Sequence, residues 1–395
     1  MIIFNFHYYL YQIIKKLYSY LFLLLLLIIF LLVTLVNFYG KEFDESLITN
    51  YKNVPLDIKI GQMLMLGFSG TTINKELADY IQKYHIGGVT LFNKPLANGK
   101  TSNITSKQQV EKLNASMQAL ADIKLFISVD QEGGFVARLN KSNGFRTYKS
   151  PASLGAMNNA DAVYNESTQI AKDLKNSGFN MNFAPAIDVN INPNNPIIGA
   201  VDRSFSNDPN KVIVYGNAYI QGQHKYGIIT SLKHFPGHGS STKDSHLGLV
   251  DITNTYKPQE MKPFKEIIQN NYQDTVMVAH LINSKIDSKY PASLSRKFIT
   301  EILREQLKFN GVVISDDLKM GAIEKYYGLD EAVTSFINAG GDIIAYSNNL
   351  GEYNKNVAAK IVVIIKKNIK NGKISMDRIN ESYLRIMKLK KEKLY

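Results

Sequence analysis

Acidic and basic side chains suited to a hydrolytic site occur in short clusters along the sequence. The clusters lie at residues 130–138, 188, 233–246, 280 and 315–317. Carboxylates can serve as nucleophiles or general bases, and a histidine with an unperturbed pKa of about 6.5 can both give and accept a proton. Each cluster alone is also typical of a helix N-cap or a tight turn, so the arrangement of the clusters in the fold decides their meaning.

A metal site is one alternative, because four of the seven histidines lie between His234 and His280 beside Asp244. However, a Pro and a Gly separate His234 from His238 and require a loop, so these two histidines are not the helical pair of a zincin. The chain has no Cys and no G-x-S-x-G motif, which argues against thiolate and serine chemistry. We therefore expect no metal and no other cofactor.

Short β-branched runs alternate with amphipathic stretches from about residue 53 onward. We predict eight strands, at residues 63–67, 88–92, 125–129, 182–186, 229–234, 275–280, 312–315 and 342–346. Helical patterns lie at residues 75–84, 107–121, 161–176, 211–226, 259–270, 296–307, 331–339, 355–370 and 376–391. Strands that alternate with helices pair in parallel, and eight such units predict an α/β fold closed into a (β/α)8 TIM barrel. A doubly wound sheet is the alternative, but no G-x-G-x-x-G follows the first strand.

The polar clusters fall directly after predicted strands. Asp130 follows the third strand, Asp188 lies just beyond the fourth, Lys233 and His234 end the fifth, and Asp316 follows the seventh. In a TIM barrel the C-terminal ends of the strands build the active site. Convergence on one rim favours a catalytic site over unrelated caps and turns.

Several motifs at these positions resemble glycoside hydrolase family 3, and most of all its single-domain, NagZ-like β-N-acetylhexosaminidases. The motifs are SVDQEGGFVARL, NFAPAIDVN, NPIIGAVDRSFSNDP, KHFPGHGSSTKDSH, PASLS and GVVISDDLKM. They follow the order of that family from about residue 56 to the C-terminal helices. The resemblance implies a retaining, exo-acting β-N-acetylglucosaminidase (EC 3.2.1.52) that works through a covalent glycosyl-enzyme.

The resemblance also implies roles for individual residues. Asp316, the first Asp of SDD, would be the nucleophile, His246 of DSH the acid/base, and Asp244 the carboxylate that orients it. A histidine donor needs such a carboxylate, and the Asp-x-His spacing in a Gly-rich loop allows the contact by folding back. The positions that hold the hydroxyls and the acetamide of the sugar would be Asp130, Arg138, Arg203, Lys233 and His234. We expect Met320, shortly after the nucleophile, to wall the pocket.

Departures from the family pattern concern the surroundings of these residues. Phe135 stands where the DQEGG motif often continues with Arg, and Ser240 and Ser241 replace the more usual Asp-Thr after KHFPGHG. These differences bear on what binds beyond the sugar that is cleaved. The spacer between Gly199 and Arg203 also looks longer than in the family pattern, which bears on the placement of Arg203.

Other activities of the family are alternatives. The larger β-glucosidases and β-xylosidases resemble two-domain proteins whose acid/base lies on an added C-terminal domain, whereas here the Asp-Ser-His loop would supply the donor within the barrel. An N-acetylglucosaminide phosphorylase also stays open, since a histidine donor repels an incoming phosphate less than a glutamate would. The natural substrate is open among peptidoglycan fragments, chitooligosaccharides and exopolysaccharides, and peptidoglycan recycling fits an outward-facing bacterial enzyme.

The charge of the chain decides little about its partners. The formal net charge is +12, but the lysines are scattered apart from one denser run at residues 388–393. Such a distribution is more typical of a solvated helix face than of a nucleic-acid site. We expect a monomer whose partners are a carbohydrate substrate and a membrane, with no nucleic acid.

The N-terminal segment predicts a membrane anchor. Residues 21–36 are apolar apart from Thr34, and residues 17–38 have about the length needed to cross a bilayer. Lys15 and Lys16 precede the run and acidic residues follow it, so the positive side lies N-terminal and the barrel should face outward. A cleavable signal peptide would have an apolar run of about 7 to 15 residues and an A-x-A site, so an uncleaved anchor is favoured.

These observations predict the following organisation. Residues 1–16 form a short cytoplasmic N-terminus, 17–38 a single-pass transmembrane helix in the bacterial inner (cell) membrane, 39–52 a linker and 53–395 one barrel domain on the outer or periplasmic side.

Overall fold

The apolar runs of the sequence form short strands in the computed structural model, which describes residues 16–18, 20, 21, 42–93, 102–348 and 352–395. The strands are β1 (Leu64–Gly67), β2 (Gly88–Thr90), β3 (Phe126–Val129), β4 (Met181–Asn182), β5 (Ile229–Phe235), β6 (Thr275–Val278), β7 (Val312–Ser315) and β8 (Ile344–Tyr346). Every residue in them is buried, as expected for parallel strands that are covered on both faces.

The eight strands form one sheet in the order β7-β6-β5-β4-β3-β2-β1-β8, and each neighbouring pair is parallel. The two ends of this order meet through a parallel bridge between Ile314 and Ile343. The Ser315 amide also donates to the Ile343 carbonyl over 3.0 Å. The sheet is therefore an almost closed barrel, and the predicted eight-stranded α/β barrel fold is confirmed.

Helices connect the strands. They are α1 (Ser46–Thr49), α2 (Leu56–Gln62), α3 (Lys75–Ala78), α4 (Lys107–Leu120), α5 (Pro151–Ala156), α6 (Ala160–Asn176), α7 (Pro209–His224), α8 (Lys262–Gln269), α9 (Gly321–Glu324), α10 (Leu329–Asn338), α11 (Val357–Lys370) and α12 (Met376–Leu394). Two segments, Asp79–Lys83 and Lys297–Gln306, are π-helical. Several helices begin at a side-chain N-cap: Ser106, Asn159 and Asp208 accept hydrogen bonds from amides of the first turns of α4, α6 and α7.

One predicted strand is much shorter in the structure. Strand β4 covers Met181 and Asn182 instead of the predicted 182–186. Pairing with β5 resumes at a single bridge between Ala186 and Lys233. Beyond β4 the chain stays bonded to β5, since the amides of Ser231 and Lys233 donate to the carbonyls of Ala184 and Pro185 before the loop with Asp188 begins.

The predicted anchor at residues 17–38 lies almost entirely outside the described residues. Within the part of the chain that the structure describes, no helix is long and apolar enough to cross a membrane. Residues 46–394 form one compact unit, so α1 and the 3₁₀ turn Tyr51–Asn53, in the segment predicted as a linker, belong with the barrel. The Lys59 ammonium lies 5.8 Å from the centre of the Tyr51 ring, a contact that joins this segment to α2.

Candidate active site

A short β-hairpin after β3 places two charged side chains at the rim. Its strands, Gln131–Gly133 and Val136–Ala137, are antiparallel, and the Arg138 amide donates to the Asp130 carbonyl over 3.2 Å. Gly133 has a φ of 101°, and a Cβ there would lie 2.3 Å from a backbone oxygen, so the turn requires glycine. The hairpin brings the Arg138 guanidinium within 3.5 Å of the Asp130 carboxylate.

Glu132 lies at the centre of a buried ion network. Its Oε1 is 2.7 Å from Lys233 Nζ and accepts a 2.7 Å hydrogen bond from a terminal nitrogen of Arg203, whose Nε donates to Oε2 over 2.9 Å. Lys233 Nζ also donates to Asp130 Oδ1 over 2.8 Å. The network therefore runs from Arg138 through Asp130, Lys233 and Glu132 to Arg203, and joins the ends of β3 and β5 to the loop after β4.

The network keeps both carboxyl groups ionised at neutral pH. Burial alone would raise their pKa values, but the adjacent cations outweigh burial. Arg203 and Lys233 lower the pKa of Glu132 from 4.5 to about 2. Lys233 and Arg138 hold the pKa of Asp130 well below its ordinary value.

His234 extends the network toward the loop after β5. Its Nδ1 lies 2.7 Å from Asp188 Oδ2, and its Nε2 lies 3.1 Å from a terminal nitrogen of Arg203. Because a guanidinium donates and cannot accept, Nε2 of His234 must be the acceptor. Nδ1 therefore carries the hydrogen and donates a hydrogen bond to Asp188. Asp188 also accepts the His238 amide over 2.7 Å. Although burial opposes it, the contacts with His234 and His238 lower the pKa of Asp188 to about 2.

Asp316 directly follows β7 and is partly buried. Its amide donates to a carbonyl of β6 over 3.0 Å, and its Oδ1 accepts the Asp317 amide over 2.8 Å. Burial alone would raise the pKa of Asp316, but His280, His234, His246 and the Asp317 amide together lower it below 3.8. The side chain is therefore a carboxylate at neutral pH, the form that a nucleophile needs.

Asp317 holds the ends of β7 and β8 together. Its side chain accepts the amides of Lys319 over 3.0 Å and Ser347 over 2.9 Å, and it also contacts the Ser347 hydroxyl. Nε2 of the buried His280 lies 3.0 Å from the Asp317 carbonyl oxygen, which ties the end of β6 to the same loop. Burial raises the pKa of Asp317 to about 6. These contacts orient the segment that carries Asp316.

Asp244 and His246 form the fold-back pair that their spacing allows. Asp244 Oδ1 accepts the His246 amide over 2.8 Å and lies 2.7 Å from Nδ1 of the same ring. Since Nδ1 faces a carboxylate, it carries a proton, and Nε2 is the nitrogen that can exchange one with a ligand. The side chain of His246 is 48% exposed, so the pair reaches the rim from the solvent side.

The two serines that depart from the family pattern anchor the base of this loop. The Ser241 hydroxyl donates to the His238 carbonyl over 2.6 Å and accepts from Asn195 Nδ2 over 3.0 Å. The Ser240 amide donates to Glu260 Oε2 over 3.0 Å. The loop therefore begins on buried residues and becomes exposed as it reaches His246.

The residues that the sequence assigned to the site all line one cavity of about 560 Å³. They are Asp130, Arg138, Arg203, Lys233, His234, Asp244, His246, Asp316 and Met320. Apolar side chains such as Phe92, Phe183 and Met277 complete the wall, and Phe135 is 72% exposed at the edge. A larger, mainly apolar cavity of about 660 Å³ lies beside α9, α10 and α11, but it contains none of these residues.

The three cationic side chains of the site differ in how many N–H donors they have left for a ligand. Within the described part of the chain, Arg203 uses four of its five N–H groups on Glu132, His234 and the Ile197 carbonyl, so one is left. Lys233 uses two of three on carboxylates. Arg138 Nε has no hydrogen-bond partner among the described residues. Arg203 therefore mainly shapes the site, whereas Lys233 and Arg138 have donors to offer.

Several residues that hold the site together had no individual role predicted from the sequence. Glu132, Asp188, His238 and Asp317 lie in the clusters after the strands, yet none was assigned a role. Glu132, His238 and Asp317 follow residues with a predicted role by one to four positions, and Asp188 lies just beyond the predicted fourth strand, so position was the available signal. Which of them would be buried against a cation depends on the three-dimensional packing.

Comparisons with known proteins agree with this architecture. The sequence model of the glycosyl hydrolase family 3 N terminal domain matches residues 55–389. Beta-hexosaminidase A of Pseudoalteromonas piscicida is 33% identical over 370 residues, which cover 84% of this chain and 60% of that protein. Beta-hexosaminidase of Xylella fastidiosa strain M23 is 34% identical over 291 residues, which cover 71% of this chain and 82% of that protein.

Solved structures show the same likeness. A glycoside hydrolase family 3 β-N-acetylglucosaminidase from Paenibacillus sp. str. FPU-7 matches with a TM-score of 0.79 and 34% identity, over 86% of this chain and 63% of that chain. The β-N-acetylhexosaminidase from Beutenbergia cavernae DSM 12333 has a TM-score of 0.76 and 26% identity, over 86% of this chain and 99% of that chain. This chain thus spans less than two thirds of the Pseudoalteromonas and Paenibacillus proteins. Since the family match covers most of the sequence, this chain belongs to glycosyl hydrolase family 3.

Proposed function

We propose that this protein is a retaining, exo-acting β-N-acetylglucosaminidase. The observation that carries the proposal is that an ionised Asp316 and a carboxylate-bound His246 line the same cavity, at the C-terminal ends of the barrel strands. A retaining glycosidase needs one nucleophile and one proton donor on opposite sides of the scissile bond. The names of the matched relatives support the class of sugar.

In the first step, a carboxylate oxygen of Asp316 forms a bond to the anomeric carbon while the glycosidic C–O bond breaks. His246 gives the proton on Nε2 to the departing oxygen, so the aglycone leaves as a neutral alcohol. Asp244 accepts a hydrogen bond from Nδ1 of His246 and stabilises the imidazolium ring before Nε2 gives up its proton. The product of the step is a glycosyl ester of Asp316.

In the second step, His246 takes a proton through Nε2 from a water molecule, whose oxygen attacks the anomeric carbon. The ester bond to Asp316 breaks and its carboxylate is restored. Two displacements at one carbon return the β configuration, so the sugar leaves with retained stereochemistry.

Asp130, Lys233 and Arg138 supply the polar contacts to the bound sugar in this proposal. The Asp130 carboxylate accepts hydrogen bonds from sugar hydroxyls. Lys233 and Arg138 donate hydrogen bonds to the sugar from the N–H groups that the ion network leaves unused. Buried side chains such as Met277 and Met320 offer apolar surface to the acetamide methyl. Because Asp316 attacks directly, the acetamide serves recognition and no oxazoline forms.

We further propose that the protein is held in the bacterial cell membrane by residues 17–38 with the barrel outside, acting on peptidoglycan fragments or related glycans. The apolar run and the two lysines before it support this orientation. Protease added to intact spheroplasts should digest the barrel, whereas full protection until lysis would overturn the orientation.

Purified enzyme incubated with a β-linked N-acetylglucosamine disaccharide tests the reaction. We expect free N-acetylglucosamine first released as the β anomer, and a quenched protein heavier by one N-acetylhexosaminyl residue on Asp316. Formation of a sugar 1-phosphate in phosphate buffer would instead identify a phosphorylase. First release of the α anomer would overturn the double displacement.

A further inference from the structure

The segment that carries Asp316 also contacts the loop that carries His246. Five residues after Asp316, the amide of Gly321 donates a hydrogen bond of 3.1 Å to the carbonyl oxygen of His246. This bond joins the chain after β7 to the loop after β5. The two catalytic groups of the proposed mechanism are thus linked through one short stretch of backbone.

The contact at Gly321 is too close for any side chain. A Cβ there would lie 2.8 Å from the His246 carbonyl oxygen and 3.0 Å from the carbonyl carbon and oxygen of Leu247. These atoms are backbone, so the loop would have to move away to make room. A methyl group at position 321 would therefore shift His246 without removing any group that touches substrate.

A second contact supports the loop from the same direction. Lys325 Nζ donates to the Leu247 carbonyl over 2.8 Å. The loop is anchored just before His246, where Ser245 is buried and its hydroxyl lies 3.2 Å from His238 Nε2. His246 and Leu247 themselves are 48% and 70% exposed, so the backbone contacts with Gly321 and Lys325 add a constraint that side-chain packing does not supply.

We propose that Gly321 and Lys325 form a seat that positions His246 for proton transfer. Both lie on the segment that begins at Asp316, so this segment sets the separation of nucleophile and proton donor locally. Gly321 and Lys325 are positioning residues, since they act through His246 and do not touch the sugar. The inference rests on the proposed function and names two residues outside its catalytic set.

Gly321→Ala tests the seat, with Gly328→Ala as the matched control. Among the residues that the structure describes, no atom lies within 4 Å of a Cβ at Gly328, and its φ of −67° suits alanine, so the control adds the same methyl group nearby without contact. kcat/KM is measured on an activated dinitrophenyl N-acetylglucosaminide and on the unactivated disaccharide, because only the second needs a well-placed proton donor.

We expect Gly321→Ala to lower kcat/KM on the disaccharide by about 10- to 100-fold, the cost of a misplaced catalytic group, with a much smaller loss on the activated substrate. Gly328→Ala should match the wild type on both. Equal losses on the two substrates, or no loss, would contradict the proposal that Gly321 positions His246. If wild type cleaves neither substrate, the proposed function itself fails, which is a distinct result.

Lys325→Met provides a second test with no added volume at position 321. We expect a smaller loss with the same leaving-group dependence, and recovery in Lys325→Arg, which can still donate to the Leu247 carbonyl. A thermal melt of each variant checks the fold. If Gly321→Ala does not fold, a Lys325→Met variant without leaving-group dependence would contradict the proposal.

Discussion

Lys233 Nζ lies 2.7 Å from Oε1 of Glu132, and the same carboxylate binds Arg203 through both oxygens. A buried carboxylate between two cations is favourable only while it is ionised. The pairing therefore links the stability of the barrel to pH. It also fixes the ammonium of Lys233 at the floor of the cavity.

Glu132→Gln should reveal this linkage. The pKa of Glu132 is lowered from 4.5 to about 2 on folding, so its contribution is fully present above about pH 4.5 and is lost as pH falls toward 2. A shift of this size corresponds to a contribution on the order of 3 kcal/mol. The gap in Tm between wild type and Glu132→Gln should be clearly smaller at pH 3 than at pH 6. A constant gap would contradict the assignment, and the exposed Glu111→Gln is the control.

Asp316→Ala should abolish turnover and leave the fold intact. We expect kcat to fall by at least about 1,000-fold, because covalent catalysis is lost, whereas one partly buried rim carboxylate contributes little to the core. A measurement of kcat checks the loss of turnover, and a measurement of Tm checks that the fold is intact. The exposed Asp122→Ala should be fully active. Near-native turnover by Asp316→Ala would remove this residue from the mechanism.

His246→Ala should be impaired most on substrates with poor leaving groups. An acidic leaving group needs little protonation, so kcat/KM on an activated aryl glycoside should partly escape the defect seen with the disaccharide. If both substrates lose equally, His246 binds sugar or supports the loop instead. The comparison also provides the reference pattern for Gly321→Ala.

Phe135→Ala should weaken recognition of the group beyond the cleaved sugar. The ring is 72% exposed on a hairpin fixed by Gly133, at the edge of the cavity. If the ring packs on a second sugar, Phe135→Ala should lower kcat/KM on the disaccharide by about tenfold more than on methyl β-N-acetylglucosaminide. The methyl glycoside has almost no aglycone for the ring to bind. An unchanged ratio of the two values would exclude that contact.

The sequence predicted most of the fold because burial on both faces gives each strand a continuous apolar run. Strand β7 was predicted to the residue, whereas the pattern missed the end of β4 at Asn182 because the apolar run continues through Phe183 and Ala184. The motifs predicted that the polar side chains of the site would meet at the C-terminal ends of the strands, and in the structure these side chains line one cavity. The motifs did not reveal that Glu132, His234 and the Ile197 carbonyl would together occupy four of the five donors of Arg203, because that depends on how distant loops pack.

Selectivity for the 2-acetamido group separates the proposed activity from that of a β-glucosidase. It is measured by kcat/KM on a matched pair of chromogenic substrates, a β-N-acetylglucosaminide and a β-glucoside. A site built to pair an amide leaves its own polar groups unmet by a plain hydroxyl, so discrimination of about 10,000-fold or more is attainable. We predict that kcat/KM for the N-acetylglucosaminide exceeds that for the glucoside by such a factor. Comparable values for the two substrates would contradict the proposed activity, although the family membership would stand.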